Sequence, residues 1–158
     1  MKIAVISDTH GHVQDSINAL NKIDGIDLII HLGDYSKDVK DIKEAFDTTI
    51  INVKGNCDHY DFDTPDDNII EIKGKKIFMS HGDLYRVKHG LNDIYYKAKE
   101  LNADVALFGH SHTSTLIEHD GILFLNPGSP TLPRAGTSKS IGMLYVDDNN
   151  VRGEIVTI

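Results

Sequence analysis

The sequence predicts an α/β fold in which two β-sheets pack face to face with helices outside. Three observations predict it. The first third alternates β-branched runs with helical spacings, a β-α-β-α-β order that implies parallel strands and right-handed crossovers. A hairpin signal around Gly74 breaks that order. The tail is nearly all β. Together they predict about ten strands and three helices, in a single domain over residues 1–158.

Lys2 to Ser7 is a β-branched run and reads as the first strand. After Gly11, the residues Val13, Ile17, Leu20 and Ile23 recur at helical spacing. Asp27 to Leu32 is a second buried strand. Ser36 is the expected N-cap of a helix with Val39, Ile42 and Phe46 inward. Thr48 to Val53 is the third strand. Asn68 to Ile72 and Lys76 to Ser80 read as a hairpin around a Gly74-Lys75 turn. The next helix carries Leu91, Ile94, Tyr95, Ala98 and Leu101 on one stripe. Asp104 to Phe108 is another buried strand. Ser114 to Glu118 and Ile122 to Leu125 flank Asp120-Gly121, a strong two-residue turn signal. Pro127 to Pro133 reads as an ordered loop. Met143 to Val146 and Val151 to Thr157 form the last hairpin.

Composition narrows the function classes. A chain of 158 residues with 40% hydrophobic residues is neither a disordered chain nor a membrane protein. The apolar opening, Met1 to Ile6, is too short for a signal peptide or a membrane span. Cys57 is the only cysteine, so no internal disulfide is expected, and a cytoplasmic home is. The net charge of −8, from 16 basic and 24 acidic residues, argues against broad capture of nucleic acid or an anionic membrane. Asp61 to Asp67 and Asp147-Asp148 read as solvated surface charge. A homo-oligomer remains compatible with the sequence.

Five islands of metal-binding residues beside glycines each follow an apolar run. They are Asp8-Thr9-His10-Gly11, Gly33-Asp34, Gly55-Asn56-Cys57-Asp58, His81-Gly82 and Gly109-His110-Ser111-His112. In open α/β sheets, sites form at the carboxyl ends of strands. The islands offer two carboxylates, an amide and four imidazoles, enough for two ions. Mixed oxygen and nitrogen donors favour manganese, iron, cobalt, nickel or zinc over calcium. Two ions about 3.5–4 Å apart suit in-line displacement at phosphorus. With Asp8, Asp34 and a hydroxide they leave a local charge of about +1, which attracts a phosphate ester.

In this order the islands resemble the calcineurin-like metallophosphoesterases, whose pattern is D-x-H, G-D, G-N-[HC]-[DE], H and G-H-x-H. The match runs from Asp8 to His112. The Gly-Asn-Cys-Asp form and the Asn126-Pro127-Gly128-Ser129 loop look most like the small bacterial and archaeal phosphodiesterases. The resemblance implies a four-layer α-β-β-α sandwich of two mixed sheets. It implies two divalent ions, with Mn2+ expected first. Asp8, His10, Asp34 and His112 would hold one ion, and Asp34, Asn56, His81 and His110 the other, with Asp34 bridging. The implied activity is hydrolysis of a small phosphate ester, most simply a diester, by a metal-bridging hydroxide. The alternatives are a nuclease and a scaffold akin to a eukaryotic retromer subunit.

One departure concerns the leaving group. Many relatives have His where Cys57 stands, and that His protonates the departing alcohol. Cys57 and Asp58 are therefore the candidate proton donors here, and diesters or activated esters the expected substrates. Asn56 and His12 are the candidate substrate contacts, with His59 also beside a motif. His31 reads as a core residue or a support for the ligands, and Arg134 as a surface residue.

Overall fold

The computed structural model describes residues 1–158. In chain order its elements are β1 (Lys2–Ile6), α1 (Gln14–Leu20), β2 (Leu28–His31), α2 (Asp38–Ala45), β3 (Ile50–Asn52), β4 (Asp67–Ile72), β5 (Lys75–Ser80), α3 (Asn92–Glu100), β6 (Val105–Leu107), β7 (Thr115–His119), β8 (Ile122–Asn126), β9 (Ser140–Val146) and β10 (Val151–Thr157). They form two five-stranded mixed sheets, ordered β10-β9-β1-β2-β3 and β4-β5-β6-β8-β7. This is the α/β sandwich that the sequence predicts. No helix is long and apolar enough to cross a membrane.

Alternation along the strands makes the layers. In β1, Ile3 and Val5 point into the space between the sheets, while Ala4 and Ile6 point outward. The inner core joins Ile3, Leu28, Ile30 and Leu144 of one sheet to Ile77, Met79, Val105 and Leu125 of the other. Outside the first sheet, Leu20 of α1 and Ile42 of α2 pack on Ile6 and Ile29. Outside the second, Ile94 and Ala98 of α3 pack on Phe78, Ala106 and Phe124. Each fully buried aliphatic side chain contributes about 1.5–3 kcal/mol. Two-sided burial explains why the central strands read as continuous apolar runs.

Each sheet contains three parallel neighbours, β1-β2-β3 and β5-β6-β8. Parallel strands end on one edge, so the six loops that follow them share one rim. Five of those loops are the glycine-flanked islands. The sixth begins at Asn126.

Local readings needed correction in three places. Ser36 does not cap α2: the residue before the helix is Lys37, and no side chain caps it. Instead the carboxylate of Asp58 takes the N–H groups of Tyr35 and Ser36, at 3.0 and 2.8 Å. The β4-β5 turn is Lys73-Gly74, with φ of 51° and 74°, rather than Gly74-Lys75. The Ile72↔Lys75 pairing leaves just those two residues in the loop, and a two-residue turn of this hand twists with its strands. Finally, β9 starts at Ser140, because Ser140-Ile141-Gly142 pairs with Thr157-Val156-Ile155 of β10. Polar Ser and Gly hid that extension from a hydrophobic reading.

Candidate metal centre

The backbone turns sharply as it leaves each strand. Asp8, His10, Asp34, His110 and His112 all have left-handed φ, from 48° to 62°. That conformation costs an L-residue about 1–2 kcal/mol, although Asp and His tolerate it better than most. The glycines let the turns pack closely. A Cβ on Gly33 would lie 2.5 Å from the Gly55 nitrogen, and one on Gly109 would collide with Ser7 Oγ.

These turns gather two groups of donors. The side chains of Asp8, His10, Asp34 and His112 offer one atom each, all within 4.8 Å of one another. Asp34, His81 and His110 form a second such group. Asp34 belongs to both. Its Oδ2 lies 3.6 Å from His10 Nε2, and its Oδ1 lies 3.4 Å from His81 Nε2. The histidine pairs converge as well: His10 Nε2 is 3.2 Å from His112 Nε2, and His110 Nδ1 is 3.2 Å from His81 Nε2.

Second contacts aim the rings. His81 Nδ1 donates to the Leu32 carbonyl and His112 Nδ1 to the Leu132 carbonyl, both at 2.8 Å. A carbonyl only accepts, so each ring keeps its proton on Nδ1 and presents Nε2 to the cluster. Asp8 Oδ2 accepts the His110 backbone N–H at 3.0 Å. Asp8 Oδ1 is fully buried with no hydrogen-bond donor, 3.2 Å from His112 Nε2. A buried carboxylate oxygen facing the lone pair of an imidazole fits a cation between them.

Charge within the cluster is uneven. Burial acts to raise the Asp34 carboxyl, but the hydrogen bond and charge of His81 outweigh it and hold Asp34 well below the usual carboxylate range. Burial acts to lower His81, but Asp34 and Asp8 outweigh that and lift it to about 9. Burial and the His81 charge push His110 down to about 4. The Asp8 carboxyl is lowered: burial opposes this, and His112 and His81 prevail.

The remaining candidates surround this cluster. Cys57 is exposed; its N–H donates to Asp34 Oδ1 at 2.9 Å and its thiol to Asp34 Oδ2 at 3.3 Å. Burial and the Asp34 carboxylate push that thiol up to about 11, so it stays protonated at neutral pH. Asp58 is committed to the backbone: besides Tyr35 and Ser36, it accepts the Gly55 N–H at 2.8 Å. The side chain of Asn56 is exposed, with its Nδ2 3.5 Å from Cys57 Sγ, one residue removed from the cluster. His12 is exposed and lines a separate cleft with Gln14 and Lys139. His59 lines a cleft on the other side, beside Cys57. His31 is fully buried; its Nδ1 accepts the Gly33 N–H and its Nε2 meets Thr9 Oγ1 at 3.3 Å.

Sequence reasoning missed the supports. Ser129 Oγ donates to the Asp8 carbonyl at 2.9 Å and accepts the Leu132 N–H at 2.9 Å. Asn126 Nδ2 donates to the Gly109 carbonyl at 2.7 Å. The Asn126-Pro127-Gly128-Ser129 loop thus braces the first and last ligand turns together. Its motif was visible; its task needed the parallel placement of β8 beside β6.

A sequence profile for the calcineurin-like phosphoesterase superfamily domain matches residues 1–149. The probable metallophosphoesterase YsnB of Bacillus subtilis is 35% identical over 150 residues, covering 94% of this chain and 86% of that protein. The phosphodiesterase MJ0936 of Methanocaldococcus jannaschii is 31% identical over 145 residues, covering 81% and 83%. Among solved structures, a predicted phosphoesterase of Streptococcus pneumoniae superposes with a TM-score of 0.82 at 27% identity, covering 99% and 88%. A single mutant of Vps29 from Entamoeba histolytica reaches 0.80 at 24% identity, covering 100% and 99%, which is a likeness of fold.

Proposed function

Because this chain belongs to the calcineurin-like phosphoesterase superfamily, we propose that it is a working hydrolase of small phosphate esters, with diesters as its substrates. The observation that carries this reading is the position of Asp34, whose two oxygens face two separate histidine groups. Asp8, His10, Asp34 and His112 hold one divalent ion. Asp34, His81 and His110 hold a second, and Asn56 is assigned to it by the family motif. Mn2+ is the ion expected first, with Ni2+, Fe2+, Co2+ or Zn2+ as alternatives. Bound ions of this kind supply a hydroxide nucleophile near neutral pH and neutralise phosphoryl oxygens.

The chain's own residues do the rest. Leu32 and Leu132 carbonyls fix the tautomers of His81 and His112. The left-handed turns hold the donors converged before anything binds, which lowers the cost of ordering them. The Cys57 thiol keeps its proton, donates it in a hydrogen bond to Asp34 and is a poor acid, and Asp58 is engaged by three backbone donors. Weak proton donation favours esters whose leaving group departs as a stable anion. His12 and His59 stand outside the cluster, on its flanks. The cytoplasm suits a chain with one free thiol.

The Vps29 likeness supports a second reading, a scaffold without turnover. All seven candidate ligands are present in the sequence and six of them converge, with Asn56 exposed beside them, which favours the enzyme. Metal analysis of the purified protein, with a hydrolysis screen of mono- and diesters under several metals, decides between them. Two ions per chain and diester turnover are expected; neither uptake nor turnover would establish the scaffold.

A further inference from the structure

A cleft of about 530 Å³ lies beside the ligand cluster and meets it through Cys57 and Tyr35. Its inner wall includes Cys57, whose thiol touches Asp34. Tyr35 also lines it, and that ring meets His10 edge-on with centroids 5.7 Å apart. The outer wall carries Tyr60 and Phe62. These are 87% and 84% exposed, more than any other large apolar side chain in the chain. Packing does not account for two rings left in water beside a polar site.

Tyr35 adds a second observation. Its backbone has φ of 78°, a strained conformation for a bulky residue. Asp58 holds it there by accepting the Tyr35 and Ser36 N–H groups. The ring lies over Gly11, where a Cβ would come within 3.4 Å of it. Strain of this sort persists where the surroundings enforce it, and it concentrates at ligand sites. Here it fixes one aromatic face between His10 and the cleft.

The charge of the lining narrows the occupant. Asp58, Asp61 and Asp63 line the cleft, against the one amine of Lys37 and the imidazole of His59. A second anionic group is disfavoured there, and an uncharged flat ring is favoured. The volume lies within the usual span of small-molecule sites, about 300–1,000 Å³. We propose that Tyr35, Tyr60 and Phe62 form a stacking subsite for a flat aromatic ester group of nucleoside size, carried by the phosphate ester that the ligand cluster holds. This rests on the phosphoester reading given above.

Calorimetric titration of the Mn2+-loaded protein tests it without turnover. Inorganic phosphate, methyl phosphate, phenyl phosphate and adenosine 5′-monophosphate are the probes. An aromatic ester is expected to bind about tenfold tighter than methyl phosphate, the scale of one ring stacked on an aromatic side chain. A gain with phenyl phosphate places the ring next to the ester oxygen. A gain with the nucleotide alone places it one sugar away. Tyr60→Ala combined with Phe62→Ala is expected to cut the preference to the share that Tyr35 supplies, whereas Leu84→Ala, at a 61% exposed apolar site elsewhere, keeps it whole. Equal binding of the esters by the unaltered protein, with phosphate still bound, overturns the subsite, as does a preference left undiminished by the double substitution. Failure to bind phosphate at all instead overturns the phosphoester reading.

Discussion

The two groups of side chains that meet at Asp34 are built differently. His81 is 1% exposed, carries a proton to about pH 9 and leans on the Asp34 carboxylate. Its neighbour His110 is driven the other way, to about 4, so that group holds one charged and one neutral imidazole. The other group relies on Asp8, sealed in the interior with one oxygen lacking a donor, and on the loop that follows β8 of the second sheet. Both groups favour a proton where an ion belongs, since, against burial, Asp8 raises His112 as Asp34 raises His81, but only the Asp8 group also holds a buried oxygen with no hydrogen-bond donor. The contrast teaches that burial prepares a cation site in two ways, and that each leaves its own signature.

The largest effect breaks both groups together. Asp34→Asn removes the carboxylate they share, and diester hydrolysis is expected to fall by on the order of 10³. Metal analysis of the variant should find fewer ions per chain than in the parent. Retained activity would break the shared-carboxylate scheme.

A pH series separates the groups. His81 has its folded pKa raised above the ordinary 6.5, so its stabilising effect on the metal-free protein is complete below about 6.5 and is lost as pH rises through about 9. Metal must displace that proton, so affinity should climb between those values, with proton release on binding. His110, lowered to about 4, has no proton to release in that range. Calorimetry in two buffers of different ionisation enthalpy measures the release, and His81→Gln should abolish the His81 share of it, leaving that of His112, which Asp8 also raises.

The smallest effect touches only the Asp8 group. Ser129→Ala takes the acceptor from the Leu132 N–H and leaves the Asp8 carbonyl only the longer bond from Thr131 Oγ1 at 3.3 Å, at a cost of about 1–3 kcal/mol in denaturant unfolding of the metal-free protein. Metal affinity should drop about tenfold, as is usual when a support of a ligand is lost. Proton release from His81 should survive, because His81 is held by Leu32 instead.

The layers were legible because a continuous apolar run reports a strand buried on both faces and a period of 3.6 reports a helix buried on one; β1 shows the first and α3 the second. The ligands were legible because each sits beside a glycine at the end of an apolar run. What stayed hidden depends on contacts between distant segments. Asp58 looked like an acid and serves Tyr35, Ser36 and Gly55 across a turn. Asp61 looked like solvated charge and shapes its loop, accepting the Asp63 and Thr64 N–H groups at 3.2 and 2.9 Å. Tyr60 and Phe62 stand among aspartates, and no periodicity marks two rings as neighbours of Tyr35.

Strand order has a consequence for how the molecule is made. Every ligand has been synthesised once His112 leaves the ribosome, yet β1 still lacks the neighbour that covers its other side. That neighbour is β9, which pairs Ile3 with Leu144 and Val5 with Gly142. Until then the strand that leads into Asp8 and His10 is an open edge. The site therefore matures only after β9 has emerged, and a nascent chain that already holds all its donors is still a chain with an unprotected strand.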